Sequence, residues 1–136
     1  MGLAERRAVK DFQETRLPAL KQALTQASGL EVPLEIEWSE LAREDYSHLY
    51  AEAFEKVYFQ PLTEALRSIT RDDLGREALA EGLKKIVIRN SNGNYSMDAG
   101  ATFAGGVLTF DHDPVSNIDY WEERRDFLIR MLEKAL

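Results

Sequence analysis

The stretch Lys84–Asp113, KKIVIRNSNGNYSMDAGATFAGGVLTFDHD, decides the fold. It reads as three strands in succession, separated by Asn92-Gly93 and Gly105-Gly106. Both dipeptides tolerate the positive φ that the two central residues of a tight hairpin turn require. Counting outward from the first turn sets Ser91 opposite Asn94, Arg89 opposite Ser96 and Val87 opposite Asp98. Counting from the second sets Phe103 opposite Leu108 and Ala101 opposite Phe110. The expectation is an antiparallel β meander over residues 85–113.

Side-chain alternation then places Ile86, Ile88, Tyr95, Met97, Ala101, Phe103, Leu108 and Phe110 on one face, with Asn90 and His112 near its ends. The other face receives Lys85, Arg89, Ser96, Asp98, Thr102, Thr109, Asp111 and Asp113, with Val87 and Val107 as apolar exceptions. The first face is a core face and the second faces solvent or a partner. A bulge at Asp98-Ala99-Gly100 would flip half of the middle strand.

Working outward, residues 31–38, EVPLEIEW, alternate apolar and polar side chains and predict a fourth strand. Pro33 cannot donate to a ladder, which sends this strand to an edge or confines its pairing to one side. Its glutamates share the outer face with Lys85 and Arg89, so the strand is expected beside 85–91. Residues 4–28 predict an amphipathic helix broken or kinked at Pro18 and stopped at Gly29. Ser39 can cap a turn leading to a long helix over 45–69, bent at Pro61. Thr70 is expected to cap a helix running to about Gly82, with Asp73 closing a capping box. Residues from Ile118 onward predict a final helix able to cover the sheet. Together these elements predict one α+β domain over residues 1–136, an antiparallel sheet of three or four strands with helices on one face.

Composition narrows the function. The 136 residues contain no cysteine, which removes disulfides and thiolate chemistry. No apolar leader or membrane-length run occurs, so a cytoplasmic protein away from membranes is expected. The net charge of −7 argues against a general nucleic-acid binder. The excess is local: residues 29–60 hold eight acidic and two basic side chains. That imbalance suits a protein partner with a basic surface.

Candidate chemistry is sparse. Asp111-His112-Asp113 combines metal-ligating types, but alternation points His112 away from Asp111 and Asp113, leaving those two as candidate ligands. Arg89, Asp98 and Asp111 gather on the predicted outer face, either as cross-strand ion pairs or as a binding or catalytic cluster. His48 sits four residues from both Glu44 and Glu52, as a solvated helix histidine would. Tyr46, Tyr50, Phe54 and Tyr58 recur at helical spacing and read as core. No phosphate-binding glycine loop, nucleophile elbow or zinc-protease motif occurs, and no cofactor is implied. The leading expectation is a small acidic binding module, of adaptor, inhibitor or immunity type, using Glu31, Glu35 and Glu37, or Arg89, Asp98 and Asp111 on the outer face. The alternative is a small-molecule or metal-dependent enzyme built on Arg89, Asp98, Asp111 and Asp113. Oligomeric state is left open.

Overall fold

A computed structural model describes all residues from Met1 to Leu136. The chain runs α1 (Leu3–Thr15), α2 (Leu17–Ser28), β1 (Leu34–Ile36), α3 (Trp38–Leu41), α4 (Tyr50–Phe54), α5 (Gln60–Ile69), α6 (Asp73–Gly82), β2 (Lys85–Arg89), α7 (Met97–Gly100), β3 (Ala101–Ala104), β4 (Val107–Asp111) and α8 (Trp121–Ala135). The four strands form one sheet in the order β1-β2-β4-β3. β1 pairs with β2 and β2 with β4 in parallel, and only β3 and β4 are antiparallel. The sheet is therefore mixed and mostly parallel, which corrects the expected meander.

Half of the meander forms. At Gly105-Gly106 both residues have positive φ, and the pairing of Phe103 with Leu108 and Ala101 with Phe110 is the one counted from that turn. At Asn92-Gly93 only Gly93 has positive φ, and no hairpin closes. Side chains take the backbone groups instead. Asn90 Oδ1 accepts from Gly93 N–H at 3.1 Å, and Asp111 accepts from Ser91 N–H at 2.8 Å and from the Ser91 hydroxyl. β4 then occupies the edge of β2 meant for the middle strand, so Arg89 lies opposite Asp111 and Val87 opposite Thr109. Residues 97–100 form a helical turn, and Tyr95, expected in the core, is exposed.

The core face is otherwise as read. Ile86, Ile88, Ala101, Leu108, Phe110 and His112 are buried, while Met97 and Phe103 are half-buried. The opposite face carries Lys85, Arg89, Thr102, Thr109 and Asp111, each half-buried or exposed, around a buried Val87. Asp113 leaves that face because the strand ends at Asp111, and it turns inward and is buried.

The helices follow their sequence signals closely. Pro18 sits in the first turn of α2, where its missing N–H does not matter, and Gly29 ends the helix in the left-handed conformation. Residues 47–69 make one helical stretch with a change of pitch. A 3₁₀ turn, Ser47–Leu49, leads into α4, and a π turn, Glu55–Phe59, joins α4 to α5. In the π turn Gln60 N–H bonds Glu55 O, so the next donor in that pattern would be residue 61. Pro61 has none, and the Lys56 carbonyl loses its helical partner. Arg124 Nη2 of α8 donates to it at 3.4 Å.

Three helix starts differ from expectation. α3 begins at Trp38, before Ser39. Asp72, not Thr70, caps α6, its side chain accepting from Gly75 N–H at 2.8 Å. Thr70 instead donates to Ala27 O at 2.7 Å and Leu66 O at 2.9 Å. α8 starts at Trp121, three residues after Ile118. Edge-to-face aromatic contacts tie the helices to one another, Phe12 with Phe54 at 5.2 Å, and to the sheet, Tyr58 with Phe110 at 5.3 Å. No helix is long and apolar enough to cross a membrane.

Candidate functional site

Charged side chains converge where β1, β2 and β4 end in parallel, the edge at which open α/β sheets commonly hold ligands. β1 closes with Glu37 N–H donating to Ile88 O at 3.0 Å, and α3 then carries Glu40 over the end of β2. Glu40 accepts from Arg89 Nε at 3.2 Å and Nη2 at 2.8 Å, and from Asn90 N–H at 3.1 Å. These hydrogen bonds, with the charges of Glu40, Asp111 and Glu37, raise the Arg89 pKa further above its already high value.

Asp113 forms a second closed set. Its carboxylate accepts from Arg43 Nη1 at 2.9 and 2.8 Å, from Ser116 Oγ at 2.5 Å and from Val115 N–H at 3.3 Å. Burial pushes this carboxyl upward, but hydrogen bonds from Ser116, Arg43 and Val115 and the Arg43 charge outweigh it and hold the pKa below normal.

Of the residues singled out in the sequence, Arg89 and Asp111 meet across β2–β4. Asp113 lies just past them, committed to Arg43. Asp98 is elsewhere: it sits on α7 and lines an open cleft of about 500 Å³ with Tyr95, His112, Tyr120, Arg124 and Arg130. His112 is buried behind that cleft, Nδ1 2.7 Å from Asp113 O, while Tyr58 donates to the His112 carbonyl at 2.5 Å. Burial, then the Arg124 charge, lowers its pKa against the opposing pull of backbone carbonyls and Asp113. Arg124 donates from Nη1 and Nη2 to the carbonyls of Asn117, Ile118 and Lys56, while its Nε is buried without a partner. The four candidates thus do not share one cavity, and no three His, Asp or Glu side chains gather as a metal site. His48 is exposed at the start of the long helix.

The acidic segment lies along the sheet's free edge. Glu35 pairs with Lys85 at 3.3 Å, as cross-strand attraction predicted. Glu31 and Glu37 have no cationic partner, nor do Glu44 and Asp45 just beyond α3. The only cations of residues 29–60 are committed internally, Arg43 to Asp113 and Lys56 to Glu52 and Asp119. Beside β1, a crevice of about 260 Å³ opens between Leu24, Leu30, Val32, Leu34 and Leu66. Glu40 and Arg43 escape sequence reading because their partners lie 49 and 70 residues away. The one usable signal was their place in the acidic segment. No family model, no curated protein and no solved structure matches this chain.

Chemically, Arg89, Asp111 and Asp113 are fixed by ion pairs or hydrogen bonds. The arrangement offers a surface of set charges and an open strand edge.

Proposed function

We propose that the protein is a binding module whose acidic 29–60 region docks a basic surface of a partner protein. One observation carries this reading. Both cations of the region are held in internal ion pairs while Glu31, Glu37, Glu44 and Asp45 are left unmatched, so the segment presents net negative charge. Such a field steers a basic partner and speeds encounter at low ionic strength. The test is crosslinking in source-cell lysate with the wild type and with a Glu31→Lys, Glu37→Lys, Glu44→Lys variant. A partner captured by the wild type, lost by the variant and weakened by added salt is the expected result. Identical capture by both proteins would refute the acidic docking surface.

A further inference from the structure

The acidic edge is also an unfinished sheet. β2 uses only alternate peptide groups of β1: Ile86 N–H donates to Pro33 O at 2.9 Å and Glu37 N–H to Ile88 O at 3.0 Å. In a parallel ladder the bonding residues of one strand therefore lie at 33, 35 and 37. The N–H and C=O groups of Leu34 and Ile36 point away from the sheet, and no other strand lies on that side. Pro33 does not blunt this edge, because the N–H it lacks would have faced β2. The opposite edge differs, since α8 packs against β3.

Side chains on the two faces of this edge ask for different chemistry. Toward the helices lies the crevice whose apolar wall is Leu24, Leu30, Leu34 and Leu66, with Lys21 and Glu31 also lining it. On the outer face alternation places Glu35, paired with Lys85, and beside it Glu37, which has no cation, while Glu31 precedes the strand and lines the crevice. A second copy of this edge would oppose carboxylate to carboxylate, which is unfavourable across paired strands. A segment alternating basic and apolar residues satisfies both faces.

We infer that the partner docks by adding an extended segment to β1, its main chain bonding Leu34 and Ile36, its apolar side chains over the crevice and its basic side chains along the outer face toward Glu37. This rests on the acidic-module reading and specifies how that surface is used. Main-chain bonds supply affinity in this mode, and alternate side chains supply selectivity.

The probe is a capped KVKVKVK peptide, titrated at low salt, with two isomers N-methylated on alternate residues. N-methylation removes N–H groups from one edge of the peptide and leaves its charge unchanged. The parent peptide is expected to bind and to protect the Leu34 and Ile36 amide protons from exchange. One isomer should lose about tenfold or more in affinity, and the other should bind like the parent. Equal binding by both isomers and the parent would overturn strand addition and leave the acidic docking surface standing. No binding by the parent would also overturn it, and the lysate crosslinking decides the broader reading separately. A doubled mass in light scattering without peptide, with Leu34 and Ile36 already protected, would assign the edge to a second copy and overturn the proposal.

Discussion

Asp113 is the residue whose charge the molecule uses most fully, because Arg43, Ser116 and Val115 all converge on one buried carboxylate. Replacing one member of such a pair leaves the other uncompensated, and the partial exposure of Arg43 places the loss toward the lower end, about 2 kcal/mol. Asp113→Asn should therefore lower the urea midpoint at pH 7. The native carboxyl has a depressed pKa, so its contribution is complete above the ordinary carboxylate value of about 4 and disappears as pH falls through the lower native value. The gap between wild type and variant should close over that acid range, and a gap unchanged from pH 7 to pH 2 would contradict the assignment. His112 adds a slope higher up. Its native pKa is lowered, so the unfolded chain takes up the proton first and stability falls as pH drops below about 6.5. Alternation along the strand foretold that His112 points inward. It misplaced Asp113 because the strand ends two residues earlier, although Asp113-Pro114 was already a turn signal.

At the scale of elements, the two candidate hairpins show what a dipeptide can and cannot decide. Gly105-Gly106 closes β3 onto β4 with both residues at positive φ and little else competing for the backbone. A side chain at Gly105 would enter open space, whereas a Cβ at Gly106 would come within 2.6 Å of Lys84 Cγ and 3.0 Å of Gly82 O. Gly105→Asn should change stability by less than about 1 kcal/mol, since Asn tolerates this conformation, and Gly106→Ala should cost about 2 kcal/mol or more. Thermal unfolding of the two variants checks the ranking, and equal losses would argue against it. Asn92-Gly93 failed because Asn90, Ser91 and Asp111 offered nearer hydrogen bonds, and because strand pairing is settled by which edge β4 can reach. Helices were more legible: the prolines at 18 and 61, the glycine at 29 and the apolar stripes act within a few residues. The π turn was not, since it depends on Pro61 and on a donor from α8.

Across the whole molecule, Arg124 links that turn to α8 and to residues 117–118. The freed Lys56 carbonyl gives this link a specific test. Pro61→Ala restores an N–H that can serve the carbonyl, so Arg124→Met should be less damaging in the Pro61→Ala background. A double-mutant cycle in urea should show a coupling of about 1 kcal/mol, and strict additivity would remove the proposed exchange of partners. The arginine's lowered pKa, about 10, comes first from burial and records how far the group is withdrawn from water. The alternation of residues 31–38 made the acidic edge visible, although only Leu34–Ile36 form the strand and Glu31 lies before it. The sequence hid the parallel order of the sheet and the Glu40–Arg89 and Arg43–Asp113 pairs, whose members are brought together only by the full path of the chain.

That path bears on how the sheet is assembled. The β3–β4 hairpin closes over a two-residue turn, whereas β1 meets β2 across the whole stretch that holds α3 to α6, a longer loop with a larger closure cost. Without β1 beside it, β2 would present the edge of Ile86, Val87 and Ile88 to another chain. The glutamates flanking Leu34 and Ile36 bear on this edge as well. Carboxylates set opposite one another disfavour pairing of this strand with its equivalent in a neighbouring molecule and leave it to its own sheet.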